Sequence, residues 1–176
     1  MNQKYRIIYA DPPWSYIDKR GGIKYPVMDK RDIIDLGKSL APYLDKNCLL
    51  FMWATFPNLI EALNTIKGWG FSYKTLGFSW IKTTRLSGVP FFGLGNYTRS
   101  NCEVCLIGVR GVAHVLSHSV SSVVISPISR HSKKPAEVRD KIVELCGDLP
   151  RIELFAREKV DGWDCWGNEV DSDICL

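Results

Sequence analysis

Short apolar runs alternate with amphipathic stretches along most of the 176-residue chain. The apolar runs are typical of buried strands and occupy residues 5–10, 48–54, 71–81, 103–109 and 151–156. Helical periodicity occurs at residues 29–44, 57–68 and 135–146, and the Val- and Ser-rich stretch 114–125 is expected to be extended. Because strands and helices alternate, the pattern predicts an α/β fold, a three-layer αβα sandwich around a mainly parallel sheet.

Residues suited to helix ends support the three predicted helices. Asp29 is a suitable N-cap for the first helix, and Pro57 and Pro135 suit the first helical position of the other two. Gly147 is expected to end the last helix.

The length and composition predict one globular domain spanning residues 1–176. Hydrophobic residues make up 45% and charged residues 24%, and the net charge of +4 is compatible with a polyanionic partner without requiring one. No apolar run approaches the roughly 20 residues that span a bilayer, and the chain begins without a signal-peptide pattern. We therefore expect a cytoplasmic protein with no membrane partner, whose six cysteines are reduced.

The sequence contains one group of potential metal ligands. Cys102 and Cys105 have the C-x2-C spacing, and His114 and His118 follow them. The eight residues between the two pairs are fewer than the about twelve of a zinc finger. Because residues 103–109 also resemble a strand, the two cysteines would lie on opposite faces of it. We therefore predict no metal site.

The most informative motif, Asp11-Pro12-Pro13-Trp14, follows directly after the first apolar run. A carboxylate at the carboxyl end of a strand lies where open α/β sheets bind ligands. Both prolines lack an N–H, so the loop is expected to present carbonyl oxygens without competing donors, and Trp14 offers a flat face for a nucleobase. Acceptors beside a stacking surface suit the amino group of an adenine or a cytosine. The structural alternative is a tight turn with Trp14 in the core.

Two lysines, Lys133 and Lys134, lie just before the predicted start of the last helix at Pro135. The helix dipole disfavours a cation there by roughly a few tenths of a kcal/mol unless an anion shares the site. Either a ligand anion or solvation in a loop would satisfy these two charges.

The first motif resembles that of the amino-methyltransferases that methylate the 6-amino nitrogen of adenine. Within this group, the chain is most similar to the compact bacterial and phage members of the mRNA adenosine methyltransferase family (MT-A70). Further similar blocks occur in the family's order at residues 95–103, 131–135, 153–157 and 162–169. The resemblance covers nearly the whole chain, from residue 5 to about residue 170.

The resemblance implies a Rossmann-like S-adenosylmethionine-dependent methyltransferase fold with a permuted motif order. Only ten residues precede Asp11, so the half of the sheet that binds the cofactor must lie downstream of the catalytic loop. Lys134 is implied to pair with the cofactor's carboxylate, and Asn168 and Glu169 to hydrogen-bond its ribose. The residues implied to bind the cofactor are Asp11, Lys134, Pro135, Phe155, Arg157, Asn168 and Glu169.

The residues implied to be catalytic are Asp11, Pro12, Pro13 and Trp14. The Asp11 side chain and the Pro12 carbonyl would accept the two amino protons of the base, and Asp11 would favour the developing ammonium. This chemistry needs no covalent nucleophile, and none of the six cysteines follows a proline.

The segment 82–99 is predicted to hold a nucleic-acid strand, because it combines cations (among them Arg85) with aromatic residues and glycines. A mobile, solvated loop is the alternative. The predicted substrate-binding residues are Trp14, Tyr25, Lys82, Tyr97 and Arg99, of which Tyr25 is implied by the resemblance alone.

We therefore expect an adenine methyltransferase that acts on DNA, of the restriction–modification type, in a bacterial cell or a phage-infected host. The same chemistry on RNA is one alternative, and a non-catalytic nucleic-acid-binding subunit is another. From the length of the sequence we expect no separate target-recognition domain. A homodimer and a partner subunit both stay open.

Overall fold

The computed structural model describes residues 4–15, 27–93, 95, 97–129 and 133–176. The predicted substrate residue Tyr25 lies outside these ranges. Seven strands are described: β1 Tyr5–Ala10, β2 Leu44–Ala54, β3 Ser72–Thr83, β4 Cys102–Arg110, β5 Val123–Pro127, β6 Arg151–Leu154 and β7 Asp164–Trp166. Three α-helices are described: α1 Lys30–Leu40, α2 Leu59–Gly68 and α3 Glu137–Cys146.

The seven strands form one sheet in the order β5-β3-β4-β2-β1-β6-β7. β4 is antiparallel to both of its neighbours, and the other pairs of adjacent strands are parallel. The prediction of an α/β fold with a mainly parallel sheet is therefore confirmed.

Helices cover both faces of this sheet. On one face, Ile33 of α1 and Ile66 of α2 belong to a buried cluster that includes Ile8 of β1. On the other face, Ile142 of α3 belongs to a cluster that includes Ile7 of β1. Because side chains alternate along a strand, consecutive residues of β1 contribute to the two layers of core. The result is the three-layer sandwich that the sequence predicts.

The helix ends agree with the sequence in two cases. The Asp29 side chain accepts a hydrogen bond of 2.8 Å from the Arg31 N–H, as an N-cap does. Gly147 follows α3 with φ of 89°, a conformation that glycine adopts without strain. The first helix is shorter than predicted, because a 3₁₀ turn at Ala41–Tyr43 containing Pro42 separates it from β2.

The prediction for Pro135 is wrong by two residues. α3 begins at Glu137, and the Pro135 carbonyl accepts a hydrogen bond from the Val138 N–H at 3.2 Å. Pro135 therefore precedes the helix instead of occupying its first position. Of the stretch predicted to be extended, only the part from Val123 onward joins the sheet, as β5. β7 was not predicted at all.

No helix in the described parts of the chain is long and apolar enough to cross a membrane. Within the same residues, no three His, Cys, Asp or Glu side chains are grouped so that they could hold a metal ion.

Candidate active site

Residues from every strand meet at one edge of the sheet. Parallel strands end at the same edge, and the antiparallel strand β4 begins there, since Ala54 at the end of β2 pairs with Val104. The residues next to the strand ends at this edge are therefore brought together by the topology alone. These residues include Asp11 after β1, Arg85 after β3, Glu103 in β4, Ser129 after β5, Phe155 after β6 and Gly167 after β7.

A cleft of about 210 Å³ opens at this edge. It brings together most of the predicted site residues: Asp11, Pro12, Pro13, Trp14, Lys134, Phe155, Arg157, Asn168 and Glu169. Its other lining residues include Met28, Trp53, Asn58, Glu103 and Trp166. Pro135 is not among the lining residues.

The carbonyl groups of Pro12 and Pro13 already have donors, contrary to the expectation from the sequence. The Pro12 carbonyl accepts the Trp14 N–H at 2.8 Å, and the Pro13 carbonyl accepts the Met28 N–H at 3.2 Å. These bonds arise because the loop turns tightly and contacts the segment before α1. Each carbonyl oxygen has a second lone pair, so both can still accept a hydrogen bond from a ligand.

Trp14 lies in the core, as the structural alternative from the sequence predicts, and it also lines the cleft. It is only 5% exposed and packs in the core on the side of α1 and α2. Its indole N–H donates to the Trp53 carbonyl at 3.0 Å, which fixes the ring against the end of β2. Trp14 is therefore a buried residue at the wall of the cleft. Its stacking on a base stays a prediction.

A chain of alternating charges crosses the cleft from Asp11 to Lys82. The Lys134 ammonium lies 2.7 Å from Asp11 Oδ2 and 3.2 Å from Glu103 Oε2. The other oxygen of Glu103 accepts a hydrogen bond from the Lys82 ammonium. The Lys134 ammonium also lies 5.5 Å from the centre of the Trp53 ring, a cation–π contact. We call Asp11, Lys134, Glu103 and Lys82 the ion chain.

The members of the ion chain shift one another's pKa values. Burial raises the pKa of Asp11, and Lys134 opposes this rise. Burial alone would lower the pKa of Lys134, but the carboxylates of Asp11 and Glu103 outweigh it and raise that pKa. Burial alone would raise the pKa of Glu103, but Lys134 and Lys82 outweigh it and lower that pKa. The structure thus favours a charged Glu103 and a charged Lys134 at neutral pH.

The sequence left open whether a ligand anion or solvent satisfies the charge of Lys134, and the protein itself supplies the anion. Asp11 and Glu103 supply it, and α3 begins three residues later, at Glu137. The argument from the helix dipole was wrong, because it depended on Pro135 being the first helical residue.

Backbone contacts build the other side of the cleft. Phe155 follows β6 with φ of 61°, which is rare for an aromatic residue, and its ring makes an edge contact with Trp166 at 5.4 Å between ring centres. The next N–H, that of Ala156, donates to the Trp166 carbonyl at 2.9 Å. A Cβ on Gly167 would lie 2.3 Å from the Ala156 oxygen, so only glycine fits there.

Asn168 and Glu169 follow this close approach and are exposed at the cleft. Arg157 lies 3.5 Å from Glu169, with both side chains largely exposed, so this ion pair contributes little to stability. The amide and the carboxylate are accessible to a ligand that offers hydroxyl donors.

Of the predicted nucleic-acid residues that the structure describes, Trp14 lines the cleft, whereas Lys82, Tyr97 and Arg99 do not. Lys82 belongs to the ion chain, and its side chain is only 18% exposed. Tyr97 and Arg99 are exposed on the surface and do not line the cleft. A second cavity of about 540 Å³ lies beside the cleft on the side of α3. It shares five lining residues with the cleft: Asp11, Lys134, Phe155, Arg157 and Glu169.

Sequence reasoning missed Glu103 and Trp53 as site residues. Glu103 was noted only as part of a similar block, because its position at the site depends on β4 running antiparallel to β2. Trp53 was counted as part of a buried strand. The available signal was its position near the end of β2, beside β1.

Comparison with known proteins agrees with this architecture. A model of the MT-A70 family matches residues 5–169. The chain is 31% identical to the Type II methyltransferase M.MunI of a Mycoplasma species, over 96% of this chain and 78% of that protein. It is 26% identical to the human N(6)-adenosine-methyltransferase catalytic subunit METTL3, over 96% of this chain and 28% of that protein. A putative N(6)-adenosine-methyltransferase of Medicago truncatula is 28% identical, and the chain covers 26% of it.

The sheet and its two helical layers are those of a Rossmann-like methyltransferase fold. The chain belongs to the MT-A70 family. It spans about a quarter of the length of the plant and human relatives.

Proposed function

We propose that this protein transfers a methyl group from S-adenosylmethionine to the exocyclic 6-amino nitrogen of adenine in DNA. The observation that carries the proposal is the position of Asp11. Asp11 lines one cleft with Pro12 and Pro13 and with five other residues predicted to bind the cofactor: Lys134, Phe155, Arg157, Asn168 and Glu169.

The residues on the side of β6 and β7 fit the cofactor. The contact between Gly167 and Ala156 fixes the turn that presents Asn168 and Glu169, which would accept hydrogen bonds from the ribose hydroxyls. Lys134 would hold the methionine carboxylate, in competition with Asp11 and Glu103. The bound cofactor would supply a methyl group that is already activated by its positively charged sulfur.

The protein's own residues then have to align the amino nitrogen with the methyl group and stabilise the charge that develops in the transition state. The amino nitrogen of adenine is a weak nucleophile because its lone pair is delocalised into the ring. Asp11 and the free lone pair of the Pro12 carbonyl would accept its two protons and draw the nitrogen toward a tetrahedral geometry. As the N–C bond forms and the S–C electron pair stays on sulfur, positive charge develops on the nitrogen. The Asp11 carboxylate stabilises that charge and can accept the released proton.

DNA is proposed as the substrate because of the Mycoplasma relative. That protein is a Type II methyltransferase, and the chain covers most of its length. The relatives described as N(6)-adenosine-methyltransferases support the same reaction on RNA as a second candidate.

The test is incubation with radiolabelled cofactor and parallel pools of DNA and RNA, followed by digestion to nucleosides. We expect label in N6-methyldeoxyadenosine, and a much lower rate of labelling with the Asp11→Asn variant. Label only in the ribonucleoside would replace DNA by RNA. No labelled nucleoside from either pool would contradict the proposed activity.

A further inference from the structure

The second cavity is larger than the cleft and adjoins Asp11, but the catalytic proposal does not use its outer part. It lies on the face of the sheet covered by α3, and Arg85 and Ser129 line it on the side of β3 and β5. Its volume of about 540 Å³ is in the range of ligand sites. The cleft, at about 210 Å³, is small for two ligands at once.

Most cations that line this cavity have carboxylate partners. Arg139 makes two hydrogen bonds to Glu153, of 2.6 and 2.9 Å. The Lys133 ammonium lies 2.8 Å from Glu158. Lys134 is held in the ion chain, and Arg157 faces Glu169. These four cations are thus at least partly neutralised within the protein.

Arg85 differs from them. It is exposed, and within the described ranges its side chain makes one hydrogen bond, from Nε to the Ile128 carbonyl at 2.9 Å. No carboxylate pairs with it among those residues. The guanidinium is therefore anchored by one nitrogen, while the donors on its two terminal nitrogens are left for a ligand.

The anchor is rigidly placed. β3 and β5 pair in parallel up to Thr83 and Pro127, and the Ile128 N–H donates to the Thr83 carbonyl at 3.0 Å. Arg85 and Ser129 therefore leave the sheet side by side at the edge that holds Asp11. An anchored guanidinium loses less conformational freedom when it binds, and its planar fork matches the oxygens of a phosphate.

We propose that Arg85 and Ser129 bind a backbone phosphate of the nucleic acid at the rim of the second cavity. The nucleic-acid strand then crosses this cavity and presents its target base to Asp11. The inference rests on the proposed function. The proposed phosphate contact is Arg85, and not Lys82 or Arg99. Lys82 is paired with Glu103, and Arg99 lines neither cavity.

The test measures binding of a fluorescein-labelled, random-sequence single-stranded DNA pool of about 12 nucleotides by anisotropy, over a series of salt concentrations. Arg85→Gln should weaken binding about tenfold at low salt and reduce the slope of log K against log salt by about 0.7, the value for one lost phosphate contact. Arg85→Lys keeps the charge, so it should keep the slope while losing part of the affinity. The matched control is Lys74→Gln, an exposed cation of β3 toward the other end of the strand.

Three results would overturn the inference. Unchanged affinity and slope in Arg85→Gln would remove the contact. Weaker binding with an unchanged slope would mean that Arg85 acts by packing and not on a phosphate. Weaker binding of S-adenosylhomocysteine in the same variant would assign the rim to the cofactor. Each of these can occur while the parent protein still methylates DNA, so failure of the inference is distinguishable from failure of the proposed function.

Discussion

The two sides of the site around Asp11 are held by different kinds of interaction. Toward β6 and β7, the geometry depends on backbone contacts, including the close approach of Gly167 to Ala156. Toward β4, it depends on the ion chain, in which Lys134 lies between two carboxylates. A backbone turn keeps its shape when a ligand binds, whereas charged side chains can exchange partners. We therefore expect the β6–β7 side to determine where a cofactor lies and the ion chain to respond to its charge.

Asp11 belongs to both sides, so its substitution should have the largest effect. Asp11→Asn removes the negative charge opposite the developing ammonium and should lower kcat by about 10²–10³-fold. The isosteric side chain keeps a hydrogen-bonding group, so the fold and the affinity for cofactor should change little. Single-turnover methylation and calorimetry with S-adenosylhomocysteine measure the two quantities.

Asp35→Asn is the control for Asp11→Asn, since Asp35 is exposed on α1 and pairs only with Lys38 among the residues described. Turnover near that of the parent in Asp11→Asn would exclude the proposed mechanism.

Lys134→Ala tests the charged side of the comparison. Loss of a charge-assisted partner should weaken S-adenosylhomocysteine binding about ten- to a hundredfold. Stability should also fall, by on the order of 3 kcal/mol, because Asp11 and Glu103 would be left facing one another without a cation. A cation at the start of a helix is unfavourable, so if Lys134 lay there, as the sequence suggested, its removal would leave stability equal or higher.

The neighbouring lysine provides the control for Lys134→Ala. Lys133 pairs with Glu158 near the surface and does not line the cleft, so Lys133→Ala should leave cofactor affinity unchanged. Equal losses in the two variants would mean that the segment acts through its shape and not through the Lys134 charge.

Gly167→Ala tests the backbone side. The added Cβ would meet the Ala156 oxygen at 2.3 Å, so the turn must move. We expect a loss of stability of about 1–3 kcal/mol and roughly tenfold weaker cofactor binding, because Asn168 and Glu169 move with the turn. Gly88→Ala is the control, since a Cβ there meets nothing within 4 Å although φ is 66°. An unchanged cofactor affinity in Gly167→Ala would show that this turn does not position the ligand.

The comparison also separates what the sequence could predict from what it could not. The strand–helix alternation and the motif after β1 were enough to predict the α/β sandwich and the edge of the sheet at which Asp11 lies. The position of Glu103 could not be predicted, because it follows from the direction of one strand within the sheet. A one-dimensional pattern shows that β4 is a strand but not which way it runs.

Long-range pairing also gives Lys82 a partner that the sequence did not predict. As an isolated residue it has the chemistry of a phosphate contact, but the register of β3 on β4 places it beside Glu103, which engages its charge. The error in the helix-dipole argument has a different cause, a helix start displaced by two residues from Pro135 to Glu137. Local signals thus identified the right residue types, and tertiary contacts determined their partners.

Glu103 gives the smallest expected effect and isolates the ion chain from catalysis. Its pKa is lowered in the folded protein, so its contribution to stability is present above its unfolded pKa of about 4.3 and is lost as pH falls through the lowered folded pKa. Glu103→Gln has no such group to titrate. The variant should therefore be less stable than the parent by about 1–3 kcal/mol near neutral pH, and the difference should shrink below about pH 5.

Urea unfolding at a series of pH values measures this difference in stability, with the exposed Glu144→Gln on α3 as the control. The raised pKa of Asp11 gives the opposite pH dependence but is present in both proteins, so to first order it cancels in the difference. A difference that stays constant across this range would show that Glu103 is not held charged by Lys134 and Lys82, and the ion chain would then be only a packing contact.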